Sequence, residues 1–360
     1  MSLSTLADAC SPMSSNIAQK DLVGHKGQYP IYGASGLIGF VNFYKQEQQY
    51  IAVVKDGAGI GRVFSLPPYS SVIGTMQYLL PKDSIDVNYL YYAVQFMHLE
   101  KYYTGSTIPH IYFKDYKHEP LNIPSRDKQQ EISSILILVD KAIDTLHAQI
   151  THLEELVKSR FIELFGEPVT NPKGWKTNSL KNLGELNRGV SKHRPRNDPE
   201  LLNGSYPLVQ TGDVSNADTY IKEYSSTYSE VGLKQSRMWS KGTLCITIAA
   251  NIAKTGILTF DACFPDSVVG FIPGEQTNQI YIHHWFSFFQ KILEEQAPQS
   301  AQKNINLQIL GNLSVMLPPL ALQNEFAAFV EQADKSKLVI QELLEKHDLL
   351  KEALMQKYFG

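Results

Sequence analysis

The chain has 360 residues, with 33 Lys and Arg against 36 Asp and Glu and a formal net charge of −3. Hydrophobic residues make up 43% and charged residues 19%, which excludes a disordered or collagen-like chain and leaves room for two or more domains with real cores. No run of about 18 apolar residues occurs, so a membrane span is not expected. The opening Met1-Ser2-Leu3-Ser4-Thr5 has neither the basic flank nor the apolar run of a signal peptide. Cys10, Cys245 and Cys263 lie far apart and form no CxxC pair, so a reducing cytoplasmic home is the expectation.

In chain order, strands are predicted at 50–54, 62–66 and 76–80, and a helix near 86–101. Lys55 to Gly61 links the first two strands. Its Gly57-Gly59-Gly61 run leads into a strand, where a phosphate loop must lead into a helix N-terminus. A tight turn that lets a ligand approach the backbone is the better reading, with Lys55 and Arg62 flanking it. Leu66-Pro67-Pro68-Tyr69 resembles an amino-methyltransferase motif but lacks the Asp or Asn acceptor that chemistry needs, so it reads as a turn. A polar loop follows, from Thr104 to Lys114.

From Asp127 to Leu164 apolar residues recur in steps of 3 or 4: Ile132, Ile135, Val139, Ile143, Leu146, Ile150, Leu153 and Val157. That is a coiled-coil seam. No Pro or Gly interrupts it, and Gly166 and Pro168 end it. Its length is about 57 Å at 1.5 Å per residue. Residues 173–196 then concentrate seven basic side chains against the single acid Glu185, a local positive patch of the kind that phosphates feel within about 8–10 Å. Further strands are predicted at 243–248, 256–260 and 268–272, a helix near 277–295, and a polar loop from Ala297 to Asn306. A second long helix runs from about Leu322 to Tyr358, with Lys337, His347 and Lys351 interrupting its seam. Such residues either fix register and partner or are merely half-exposed.

The chain is a tandem repeat. Residues 123–166 align without gaps on 317–360: Pro124 with Pro318, Gln129 with Gln323, Asp140-Lys141 with Asp334-Lys335, Phe165-Gly166 with Phe359-Gly360. Ser2-Leu3 matches Ser179-Leu180 and Tyr29-Pro30 matches Tyr206-Pro207, so the second copy carries an insertion after Pro207. The helical parts stayed alike while the globular parts diverged, as expected if the helices share one task and the globular parts read different things. An antiparallel helix pair would return the end of the second helix to the first globular part. The expected fold is mixed α/β: two similar globular domains with mixed β-sheets, separated by two long helices in an antiparallel coiled coil with pseudo-twofold symmetry. The expected boundaries are 1–124, 125–166, 167–317 and 318–360.

Globular–helix–globular–helix order, the Pro-x-x-x-x-Gln-x-Glu helix starts, the Phe-Gly ends and the segment Pro172-x-Gly174-Trp175-x-x-x-x-Leu180 together resemble the specificity subunits of type I restriction–modification systems. The resemblance spans the whole chain, except that no Gly-Trp opening precedes Ser2. It implies a non-catalytic, DNA-binding subunit with two target-recognition domains, each reading one half of a bipartite site in double-stranded DNA. The helices would set the unread spacer and dock two modification subunits, adenine methyltransferases that use S-adenosylmethionine. A separate motor–nuclease restriction subunit would cut. No catalytic residue, metal or cofactor is assigned to this chain; His283-His284 lacks metal-pair spacing. The residues expected at DNA are Lys55, Arg62, Ser106, Thr107, His110 and Lys114 in the first domain, and Lys192, Arg194, Arg196, Lys254, Gln302, Lys303 and Asn304 in the second. A type IIB-like system, or a coiled-coil scaffold with no DNA role, stays open as an alternative.

Overall fold

The structure is a computed structural model that describes residues 4–24, 26–105, 109–249, 252–296 and 305–360, with 291–296 described by backbone alone. It divides into two compact units: Met1–His147 with Glu342–Gly360, and Ala148–Gln341. Each unit holds one globular head, a stretch of the first long helix, Arg126–Phe165, and a stretch of the second, Leu320–Phe359.

In the first unit a four-stranded antiparallel sheet runs in the order Cys10–Ser14, Met76–Pro81, Tyr50–Val54, Val63–Leu66. Tyr50–Val54 is buried at every position, because the helix Val87–Phe96 covers one face and the small sheet of Tyr29–Gly33, Gly36–Val41 and Ser71–Val72 lies close to the other. A strand buried on both sides reads as a continuous apolar run rather than an alternating one, and Tyr-Ile-Ala-Val-Val is such a run. The helix Val87–Phe96 is capped by Asp86, which accepts from the N–H groups of Asn88 and Tyr89. It ends earlier than predicted, because His98 takes a left-handed φ of 52° and a 3-10 turn follows at Leu99–Tyr102.

The second unit repeats the plan. Gly184–Arg188, Val268–Pro273, Leu244–Thr247 and Thr255–Leu258 pair in the corresponding antiparallel order, and Tyr220–Ile221 adds a fifth, parallel strand. That strand and the short helix Thr211–Ser215 before it lie between Leu202–Leu208 and Ser226–Tyr228. Much of the expected insertion after Pro207 is this piece. Pro30 pairs with Phe40 in the first head, whereas Pro207 must reach Thr227 in the second.

Within each unit the two long helices run antiparallel. In the first, Lys351 on the second helix reaches Asp140 on the first at 2.7 Å. In the second, Lys337 reaches Glu154 at 2.5 Å and Arg160 reaches Glu325 at 2.6 Å. Every predicted seam residue of the first helix is buried or half-buried. In the second helix, Lys337 and Lys351 occupy seam positions and use them for cross-helix ion pairs.

The repeated motifs act as anchors. Gln129 is 1% exposed and Gln323 is 0% exposed. Gln129 accepts from the Asp86 N–H at 2.7 Å and donates to the carbonyls of Ser84 and Pro124. Gln323 accepts from the Asn278 N–H at 3.0 Å and donates to those of Gln276 and Pro318. Each carboxamide thus ties the start of a long helix to the start of its own head's helix. The Phe-Gly ends cross over. Phe359 packs on Tyr89 in the first unit at 5.2 Å, and Phe165 packs on Tyr281 in the second at 4.8 Å. These tyrosines are equivalent: their hydroxyls donate to the carbonyls of Asn122 and Met316 respectively. The Gly-Trp segment is a helix stop. The Trp175 indole N–H donates to the Phe165 carbonyl at 2.9 Å, the Lys173 ammonium takes the Glu163 and Leu164 carbonyls, and Gly166 supplies a φ of 81°.

Candidate nucleic-acid interface

In the first head the central strands bring four chain ends to one edge. Ser14 lies across from Gln77, Val54 from Met76, and Val53 from Val63. The loop there closes at once: Gly61 N–H donates to Val54 O and Val54 N–H to Arg62 O, both at 2.9 Å. Gly57, Gly59 and Gly61 all have positive φ, so this is the tight turn expected and not a phosphate loop. Arg62 folds back over it, donating from Nε to Gly59 O at 3.3 Å and from a terminal nitrogen to Ala58 O at 3.2 Å. A Cβ on Gly59 would stand 2.0 Å from that guanidinium, so the glycine is needed for the side chain to lie there.

The second polar loop lands on the first. Gly57 N–H donates to Pro109 O at 3.0 Å, and Ile111 N–H to Lys55 O at 2.9 Å. His110 Nδ1 lies 2.6 Å from Asp56, whose other oxygen is 3.4 Å from the Lys55 ammonium. Tyr112, 47% exposed, stacks on His110, and the Lys114 ammonium sits 5.3 Å over its ring. Lys55, Arg62, His110 and Lys114, chosen from two separate loops, therefore share one patch. Lys114 departs from the expected loop: it lies on a short helix, Phe113–Tyr116, whose Tyr116 is fully buried as its core anchor. Ser106 and Thr107 lie outside the described residues.

The equivalent edge of the second head gathers Arg188, Thr247, Thr255 and Val268. Ile305 N–H donates to Ile248 O at 3.0 Å, matching Ile111 on Lys55 in the first head. The scaffold contact is kept while the side chain changes from Lys to Ile. Gly189 and Val190 hydrogen-bond to Val268 and Phe264, which brings the exposed loop holding Lys192, Arg194 and Arg196 to this edge. The main chain of Lys192 and His193 is held by the Gln235 carboxamide oxygen at 2.6 and 3.1 Å. Arg194 and Arg196 pair with Asp266 at 3.6 and 2.5 Å. His193 pairs with Asp198, whose carboxyl is held below its usual range by the Glu200 N–H first and by His193 next. Lys254 lies on the adjoining hairpin, its backbone paired to Thr247. Gln302, Lys303 and Asn304 lie outside the described residues.

The basic run 173–196 is not a single patch. Lys173 caps the long helix, and Lys181 bonds Asn312 at 2.9 Å. Sequence reasoning also missed the acids that hold the cations, Asp56 and Asp266, and missed Arg237. The Arg237 guanidinium stacks 3.9 Å over Trp239 and pairs with Glu185 at 2.8 Å. Asp56 adjoins Lys55 and could have been found, whereas Asp266 is 70 residues from Arg196 with no local signal. The pairs of Arg194 and Arg196 with Asp266, and of Arg237 with Glu185, are substantially exposed, where a pair contributes about 0–1 kcal/mol, so the guanidinium groups are available to a stronger anion such as phosphate. Among the described residues no group of His, Cys, Asp and Glu is placed to hold a metal, and no helix is long and apolar enough to cross a membrane.

Fold and site together define a class: a duplicated scaffold that presents two non-identical cationic loop edges on matched frames. The family model described as the type I restriction modification DNA specificity domain matches residues 4–155 and 172–346, and the chain belongs to this family. It is 26% identical over 181 residues to the type I restriction enzyme MjaIX specificity subunit of Methanocaldococcus jannaschii, an alignment covering 44% of this chain and 40% of that one. It is 21% identical over 330 residues to the putative specificity subunit S.HindORF215P of Haemophilus influenzae, covering 85% and 80%. With MjaIX and with the putative MjaX specificity subunit of M. jannaschii, the match spans about 40% and 53% of the relative's length. The fold is similar to that of the type I restriction–modification S subunit from M. genitalium, with a TM-score of 0.66, 16% identity and coverage of 99% and 95%. A structure from a study of type I system assembly has a TM-score of 0.59 at 14% identity, with coverage of 99% and 96%.

Proposed function

We propose that this chain is the sequence-reading subunit of a type I restriction–modification complex, that it carries no catalysis of its own, and that each head reads one half of a bipartite site. The observation that carries this reading is the paired loop edges. The four central antiparallel strands of the two heads correspond in order, and even the Ile111 and Ile305 contacts recur, while the side chains offered at the edge differ. A duplicated protein selected only for shape has no reason to keep the frame and change the rim. Arg and Lys at the rim would hold phosphates and fix register, and the polar loops 104–114 and 297–306 would read base edges in the major groove. The long helices would space the heads and dock two modification subunits, with the restriction subunit joining that assembly.

Two experiments test the reading. Replacing Lys192, Arg194 and Arg196 together with Ala should weaken binding to all sequences, and the slope of log K against log salt should fall by about 1 for each phosphate no longer neutralised. An unchanged slope removes that loop from DNA. Replacing residues 104–114 with an unrelated polar loop should change one half-site in the host methylome and leave the other intact; an unchanged pair of half-sites removes the loop from the reading surface.

A further inference from the structure

The duplication lets one half of the chain serve as a control for the other. In the first unit Asp140 is fully engaged: the Tyr92 hydroxyl donates to one oxygen at 2.7 Å and the Lys351 ammonium holds the other at 2.7 Å. The second unit keeps the carboxylate, as Asp334, and changes both partners. Tyr92 corresponds to His284, through the Tyr89 and Tyr281 equivalence, and Lys351 corresponds to Val157. The Thr219 hydroxyl bonds Asp334, but Asp334 Oδ2 and His284 Nε2 are both buried without a hydrogen-bond partner.

Space is left where the lysine is missing. A cavity of about 200 Å³ is lined by Val157, His284, Asp334 and Lys337 among others. Glu154, Asp218 and Asp334 line it with Lys158 and Lys337; Lys222 also acts on Asp334, and burial holds the Asp334 carboxyl above its usual range. Lys337 is already committed to Glu154 and Asp218. Both histidines are neutral, since burial pushes His283 down to about 4 and His284 well below its usual value. A buried carboxylate oxygen and a buried imidazole nitrogen, both unpaired, are costly unless something donates to them.

We propose that this cavity binds a small ammonium ion, ammonium itself or the head of a primary amine, that donates to Asp334 Oδ2 and His284 Nε2 in the place Lys351 fills beside Asp140. An ammonium group has tetrahedrally directed donors, which suit the unpaired Asp334 Oδ2 and, with the His284 proton on Nδ1, the unpaired His284 Nε2. An alkali ion instead needs a shell of oxygens, and the free groups here supply one oxygen and one nitrogen.

The test is thermal unfolding of the full chain at pH 7.5 in ammonium, methylammonium, sodium and potassium chloride at matched ionic strength. Ammonium and methylammonium should give a saturating rise of about 2–4 °C over the alkali salts, and Asp334→Asn should abolish it. Val157→Lys should restore the first unit's arrangement and remove the response to ammonium. Because Val157 is only 7% exposed, His284→Phe provides a second variant, in which the response must also be lost. An equal effect of all four salts, or a response that survives Asp334→Asn, overturns the proposal. The same result follows if Asp334 is simply protonated, since ammonium would then add nothing.

Discussion

Gln129 and Gln323 show how a loose sequence motif becomes a structural requirement. Each buried carboxamide makes three hydrogen bonds to main-chain groups that have lost water. Gln129→Leu should therefore destabilise the first unit by about 1–3 kcal/mol, seen as a lower midpoint in urea with an unchanged slope. The histidines of the second unit make a pH prediction. His283 and His284 have lowered values, for which burial is the largest cause; Asp218 opposes the shift of His283, while Lys158 adds to that of His284. Below about pH 6.5 the unfolded chain binds protons that the folded chain does not, so stability rises with pH in this range. Stability should fall from pH 6.5 toward 4, and His284→Phe should flatten that fall; an unchanged profile in the variant contradicts the assignment. At this scale the sequence picked out several of the cations that the structure places at the loop edges, such as Lys55, His110 and Arg194, but not Arg188 or Arg237. It could not show their carboxylate partners, because Asp266 meets Arg196 only through the sheet edge.

At the scale of elements, periodicity and punctuation made the long helices legible to within two residues at each end. Gly166 and the absence of internal Pro or Gly fixed their limits, and the seam carried the buried face. Strands buried on both faces were found as apolar runs, but their order in the sheet was not, since hydrogen-bonded neighbours such as Cys10–Ser14 and Met76–Pro81 are distant in sequence. The insertion was detected but not shaped: only pairing to Thr255–Leu258 makes Tyr220–Ile221 a strand. Of the polar seam residues, Lys337 and Lys351 pair across the helices, while His347 bonds only the Leu343 carbonyl of its own helix. The pair Lys351–Asp140 has side chains 26% and 29% exposed, so a double-mutant cycle with Ala at both positions should give a coupling of about 0.5–1 kcal/mol. Zero coupling would reduce the pair to two independent surface charges.

At the scale of the whole chain, each head is completed by a helix end from the other copy. Phe165, at the end of the helix that leaves the first head, is buried in the second unit, and Phe359 packs in the first. This exchange follows from duplication plus antiparallel pairing; the aligned repeat made the return of the second helix legible only on the condition that the pair is antiparallel. The bases each head prefers were not legible, because a side chain's identity without its docking geometry is compatible with many sites. On the proposed reading, frame, rim and helix have separate tasks, the helix setting distance and the rims setting sequence. Inserting one heptad into the middle of each long helix keeps both seams in phase and adds about 10 Å, or about three base pairs of B-DNA at 3.4 Å each. Methylome sequencing of a host carrying that variant with its partner subunits is the most direct test. Both half-sites should stay unchanged, and the spacer between them should lengthen by about three base pairs. An unchanged spacer, or altered half-sites, contradicts this division of tasks.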